Sequence, residues 1–189
     1  MKKIMFNDKF GLTKAVLEGR KTMTRRIVPD GTPLGNWEET VKKSRYKVGD
    51  VVAVAQSLRD MGYDPSKKDW GRGIIWSLDH TPQWINKMFV SASECIHHIR
   101  ITNVRMERLQ DISKEDCLRE GIYNWKDAPD CPPGHKNSKI ELFAHDGCWD
   151  GFQTPRDAFS ALIDKVSGKG TWESDPFVFV YEFELVKED

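Results

Sequence analysis

The sequence contains no run of about 20 apolar residues of the kind a membrane span needs. It has no excess of either charge: 29 lysines and arginines balance 29 aspartates and glutamates. No global field therefore draws in nucleic acid, and any such partner has to meet a local basic patch. Cysteines are few and widely spaced, at Cys95, Cys117, Cys131 and Cys148. The opening Met1-Lys2-Lys3, followed by Ile4-Met5-Phe6, lacks a signal-peptide core. Together these absences lead us to expect a soluble cytoplasmic protein with reduced thiols rather than a disulfide framework. Internal repeats and low-complexity tracts are also missing. What is present is a 39% hydrophobic content over 189 residues, enough to build one core, so residues 1–189 are read as a single domain.

Lys2 to Phe6 reads as a short strand. Asn7 or Asp8 caps a helix with Phe10, Ala15, Val16 and Leu17 on its apolar face, and Gly19 stops it. Pro29, Gly31, Pro33 and Gly35 mark 28–45 as a surface loop. Val51 to Ala55 and Ile96 to Val104 read as strands, with an irregular, aromatic-rich connection between them at 60–90. Ser113-Lys114-Glu115-Asp116 is an N-cap with an acidic first turn, for a helix running to about Glu120 and stopped by Gly121. Thr154-Pro155-Arg156-Asp157 repeats that signature before the stripe Ala158, Phe159, Leu162, Ile163, Val166, and Gly168 and Gly170 end the helix. Phe177 to Leu185 is the clearest strand, with Phe177, Phe179, Tyr181, Phe183 and Leu185 on one face and Val178, Val180, Glu182 and Glu184 on the other. Its two-sided apolar start suits a central place in a closed or nearly closed sheet.

The densest chemistry lies in Gly19-Arg20-Lys21-Thr22-Met23-Thr24-Arg25-Arg26, expected in a turn beyond the first helix where side chains can enter a cleft. Lys21 and Thr24 are three apart, so a turn or helical stretch would set an amine beside a hydroxyl. A lysine can act as base to a hydroxyl nucleophile when burial or neighbouring cations lower its pKa, and Arg20, Arg25 and Arg26 are such neighbours. A solvated basic turn is the alternative reading of the same residues.

This segment resembles the signature of the ASCH superfamily, Gly-x-Lys-x-x-(Glu or Thr)-x-Arg, at all its fixed positions. Tyr46-Lys47-Val48-Gly49-Asp50-Val51-Val52 is similar to the family's next block, and the stretches from Arg105 to Gly121 and from Trp172 to Phe183 resemble segments of its longer, phage-associated members. The resemblance implies a single α+β domain, a PUA-like and mostly antiparallel β-barrel with about three peripheral helices. It implies RNA or a modified nucleoside as partner. Some small members are amidohydrolases that deacylate N4-acetylcytidine through a lysine, a threonine and a glutamate, here Lys21, Thr24 and Glu120. In that reading Thr24 attacks the acyl carbonyl, Lys21 takes its proton and returns it to the leaving amine, Glu120 holds the lysine, and Arg26 or backbone N–H groups stabilise the oxyanion. The alternative is a non-catalytic RNA or single-stranded nucleic-acid binding module. There Arg20, Lys21, Arg25 and Arg26 meet phosphates while aromatic side chains stack on bases.

This chain departs from those small enzymes by insertions expected near 29–45, 60–90 and 122–152, which can reshape a pocket. The last carries Cys131, His135, His145 and Cys148, zinc-type ligands as Cys-x3-His, nine intervening residues, then His-x2-Cys, a spacing without the signature of a standard finger. An ordinary turn is the preferred reading, and no metal or cofactor is expected. His97 and His98 are adjacent in a strand and so point to opposite faces, with one of them expected to be buried. For Glu107 and Asp111, capping or solvated roles are expected rather than an acidic pairing with Glu120.

Overall fold

The computed structural model describes residues 1–63, 81–128, 141–146 and 151–186. A five-stranded mixed sheet forms the centre, in the order β1 (Lys2–Ile4), β3 (Val51–Val54), β4 (His98–Arg108), β7 (Phe177–Leu185), β2 (Met23–Ile27). β1 runs parallel to β3, and the other three pairings are antiparallel. A two-stranded ribbon joins β5 (Tyr123–Asn124) to β6 (Phe143–Ala144). Around these lie α1 (Leu12–Leu17), α2 (Trp37–Lys42), α3 (Pro82–Ile85), α4 (Lys114–Arg119), α5 (Pro155–Ser167) and α6 (Thr171–Ser174). None of the described helices is long and apolar enough to cross a membrane.

β7 occupies an interior position because both of its faces are apolar where it pairs: Val178, Phe179, Val180 and Tyr181 are all buried. The core continues through Ile4, Met23, Val52, Val54, Ile99 and Ile101 on the neighbouring strands and through Phe159 and Leu162 of α5. Caps follow the expected chemistry. Ser113 accepts from Asp116 N and Thr154 from Asp157 N, and Pro155 opens α5.

Several expectations are corrected. The sheet is not closed as a barrel: β1 and β2 are its two edges and share no ladder among the described residues. Side chains fill the seam instead. Arg26 Nη2 donates to Met5 O at 2.6 Å, and the Phe6 ring packs at 5.8 Å on Phe183 and beneath the Arg26 guanidinium. The first helix is broken in two, because Gly11 takes a left-handed conformation (φ 61°) between a 3-10 turn at Asp8–Phe10 and α1. α2 interrupts the expected 28–45 loop, capped by Asn36, and α6 follows α5 after Gly170. Six helices are thus described where about three were expected. Neither His97 nor His98 is buried, since His97 precedes β4 and His98 is its first residue, away from the packed middle of the strand.

β4 carries one irregularity. Ile101 pairs with Phe183 but Asn103 with Glu182, so two residues of β4 oppose one step of β7. Such a bulge moves alternate residues to the other face. Ile99 and Ile101 share the face of Phe183 and Leu185, whereas Asn103, Arg105 and Glu107 share that of Glu182, Val180 and Val178.

Candidate functional site

The site is assembled where α1, α4 and the free edge of β2 meet. Gly19, with φ 72°, ends the α1 turn, and Lys21 N donates back to Ala15 O at 2.9 Å. Thr22 N then donates to Arg119 O at the end of α4, and Thr22 O accepts from Phe183 N. These bonds leave Lys21 just ahead of β2, beside the last residue of the α4 turn. Glu120 is that residue, and Gly121 (φ 102°) turns the chain away immediately after it.

Lys21 Nζ donates to Glu120 Oε2 at 2.5 Å and to Glu120 O at 2.7 Å. The two residues are 99 apart in sequence and only 2% and 4% exposed. Their ion pair therefore sits in a low-dielectric setting where it is short and strongly coupled. The Phe6 ring lies 5.9 Å from the ammonium. Burial pushes the Lys21 pKa below its ordinary 10.5, against the pull of Glu120 and with help from the nearby Arg26 and Arg25 charges.

Thr24 and the arginines are distributed by strand alternation. Residues 23–27, expected in a turn, form β2 and pair with β7: Thr24 with Tyr181, Arg25 with Val180, Arg26 with Phe179. Thr24 and Arg26 thus share one face, and Met23 and Arg25 the other. Lys21 and Thr24 are not set side by side by a helical turn. They are brought to one cavity of about 150 Å³ that wraps the open edge of β2. Lys21, Thr24, Arg25, Arg26 and Glu120, with Asn7 and Ser167, form its polar lining. Phe6, Leu12 and Leu109, with Phe159, Leu162, Ile163 and Val166 of α5, form its apolar wall. Thr24 is buried, and its hydroxyl makes no hydrogen bond among the described residues.

Arg25 is 5% exposed and is taken up by three carboxylates. Nη1 donates to Glu120 Oε1 at 3.1 Å, Nη2 to Glu107 Oε1 at 2.6 Å and to Asp116 Oδ2 at 2.8 Å, and Nε to Glu107 Oε1 at 3.0 Å. Burial works against this charge, but Glu120 and Glu107 outweigh it and raise the pKa. Arg105 extends the network to Glu107, Asp116 and Glu182, and Arg119 extends it to Asp116 and Glu182. Four cations face four carboxylates. Arg26 is half-buried, desolvation pulls its pKa down, and it remains a cation. Arg20 is exposed, paired with Glu18 at 2.7 Å and lying 5.7 Å from the Tyr123 ring.

Sequence reasoning missed the network partner Asp116 and the cavity wall on α5, and the capping or solvated role expected for Glu107 is corrected: it is clustered with Glu120 around the Arg25 guanidinium. Asp116 was detectable, since its i,i+4 spacing from Glu120 puts both on one helix face. The role of Glu107 was misjudged because the β4 bulge decides its face. Asp111 does act in capping, accepting weakly from Arg108 N at 3.4 Å.

Of the zinc-type residues, Cys131, His135 and Cys148 lie outside the described residues. His145 is fully buried, its Nδ1 against Asp146 O at 2.8 Å and its Nε2 without a partner among the described residues. No group of three or more potential metal ligands occurs among the described residues. Cys95 and Cys117 are free and buried.

No protein-family model matches the chain, and no curated protein matches it. Among solved structures, it is similar to an ASCH domain from Lactobacillus crispatus JV V101 at 12% identity and a TM-score of 0.38, over 95% of this chain and 75% of that one. The family resemblance of this chain is carried by its motif blocks and not by that superposition.

Proposed function

We propose that this ASCH-type chain hydrolyses the amide of a small acylated nucleobase or nucleoside, of the N4-acetylcytidine kind, with Lys21, Thr24 and Glu120 as the catalytic group. The observation that carries the reading is the buried Lys21–Glu120 contact at 2.5 Å on a cavity that Thr24 also lines. Burial lowers the Lys21 pKa, which favours the neutral amine that can act as base, and the Thr24 hydroxyl, without a hydrogen-bond partner among the described residues, is placed as the group it deprotonates. Thr24 Oγ1 adds to the acyl carbonyl as Lys21 takes its proton, and the oxyanion develops beside the Arg26 guanidinium. The C–N bond then breaks, with the Lys21 ammonium protonating the departing amine. Water cleaves the acyl-threonine ester with Lys21 again as base, releasing a carboxylic acid. Glu120 holds the amine in place throughout.

The binding-module alternative requires cations turned to solvent. Arg25 is engaged by carboxylates, Arg26 by Met5 O and Arg20 by Glu18, an arrangement that favours chemistry on a small ligand over capture of a phosphate backbone. The cavity, at about 150 Å³, is smaller than the roughly 300 Å³ at which pockets for drug-sized ligands begin, which also favours a small ligand.

The test is release of cytidine from N4-acetylcytidine by the wild-type protein and by Lys21→Ala and Thr24→Ala. Turnover by the wild type and a loss of roughly 100-fold or more in each variant is expected. Absence of wild-type turnover on any N4-acylcytidine, with salt-dependent binding of RNA, would establish the binding module instead.

A further inference from the structure

The proposed reaction leaves one buried charge unused. Arg25 lies on the opposite face of β2 from Thr24 and Arg26, yet its guanidinium reaches the same carboxylate that holds the base. Glu120 divides its oxygens: Oε2 accepts from Lys21 at 2.5 Å and Oε1 from Arg25 at 3.1 Å. The remaining N–H groups of Arg25 are fixed by Glu107 on β4 and Asp116 on α4. A planar fork held on several sides has little freedom to rotate, so it sets the plane of the carboxylate it contacts. Met23 Sδ, at 3.2 Å from Nη1, closes the remaining approach.

We propose that Arg25 is a positioning residue for the reaction: anchored on Glu107 and Asp116, it fixes the orientation of the Glu120 carboxylate and with it the setting of the Lys21 amine. The proposal rests on the amidohydrolase reading for its kinetic consequence only. Its electrostatic consequence holds whatever the substrate.

The charged groups facing the Lys21 ammonium are Glu120 from the end of α4 and Arg25 and Arg26 from β2, with the Phe6 ring on the remaining side. Arg25 and Arg26 both favour the neutral amine, and Glu120 favours the ammonium. Removing Arg25 takes away one of the two cations and releases Glu120 to serve Lys21 alone. Both changes favour the ammonium, so the Lys21 titration moves upward and less neutral base is present at pH 7.

The experiment is a carbon-13 NMR titration of the Lys21 ε-carbon in labelled protein, run beside the pH dependence of kcat and KM for N4-acetylcytidine, for wild type, Arg25→Met and Arg25→Lys. Arg25→Met is expected to raise the Lys21 midpoint, to shift the acid limb of the kcat profile upward by the same amount, and to lower kcat at pH 7 while KM holds. At a pH below both midpoints, a midpoint higher by about one pH unit leaves roughly a tenth of the neutral lysine. Arg25→Lys keeps a cation but not the fork, so it is expected to hold the midpoint nearer wild type and still lower kcat. An unmoved midpoint in folded Arg25→Met overturns the proposal, even with a lower melting temperature. If that variant does not fold, wild-type kcat and pH profile in Arg25→Lys overturn it. A wild type without N4-acylcytidine turnover removes the reaction, and the NMR midpoint then decides the role of Arg25 alone.

Discussion

Replacing Glu120 with alanine leaves two buried cations without their shared counter-charge, and the size of the loss follows from the geometry. Lys21 would keep no carboxylate, and Arg25 would lose the Nη1 contact while retaining Glu107 and Asp116. Removing one partner of a buried pair costs about 3–5 kcal/mol, because the other charge stays desolvated. For a chain of 189 residues that corresponds to a fall in Tm of roughly 6–20 °C, at about 2–4 °C per kcal/mol. Lys21→Met is the opposite case. It deletes the charge that burial disfavours and leaves Glu120 on Arg25, so its cost is expected near the ordinary ~1 kcal/mol of a point substitution. The pH dependence has a definite sign. The folded-state pKa of Lys21 lies below its unfolded value of 10.5, so between the two the unfolded chain binds more protons and stability rises with pH. Its destabilising effect is fully present below the folded pKa and is relieved as pH approaches 10.5. Urea denaturation of wild type and Lys21→Met from about pH 7 up to the ordinary lysine pKa of roughly 10.4 should show wild type gaining on the variant. Equal losses in Glu120→Ala and Lys21→Met, or a difference that is flat or falls with pH, would refute this account of the pair.

Burial pushes the Cys117 thiol up to about 12, so iodoacetamide at about pH 8 should leave it unmodified in the folded protein and label it in urea, as read by peptide mapping. Labelling of Cys117 at equal rates in both states would show that it is not buried in this core. Gly11→Ala should destabilise the chain by ~1–2 kcal/mol from its left-handed backbone alone. A Cβ there would also meet the Asp146 carboxylate, so a melting temperature equal to wild type would contradict the turn between Phe10 and Leu12.

How much of this was legible in the sequence varies by element, for physical reasons. β7 was readable to its ends because nine residues alternate with aromatic and branched side chains. α4 and α5 were readable because Ser113 and Thr154 satisfy N–H groups that no other local feature would. α2 was hidden by the Pro and Gly residues of 29–35, whose breaking signal extends over a short helix that only the Asn36 cap announces. β2 was hidden more deeply. Met-Thr-Arg-Arg-Ile has no apolar alternation, and it becomes a strand because β7 offers it a ladder and the surroundings absorb its charges. The Lys21–Glu120 contact spans 99 residues, and only the family resemblance paired them in advance.

Arg25 and Arg26 show what a register adds to a motif. As neighbours in a basic run they look interchangeable, and a phosphate-binding patch treats them as one feature. A strand separates them by half a turn of side-chain direction. Arg26 goes to the Phe179 face, against Phe6 and Met5 O, where it borders the cavity beside Thr24. Arg25 goes to the Val180 face, where the β4 bulge has brought Glu107 and α4 has brought Asp116 and Glu120. Without that bulge, Glu107 would share the face of Ile101 and Phe183, and Arg25 would lose the carboxylate that holds it by both Nε and Nη2. The bulge, far in sequence from Arg25, is thus a structural condition for the anchoring of Arg25 on Glu107, beside its contact with Glu120.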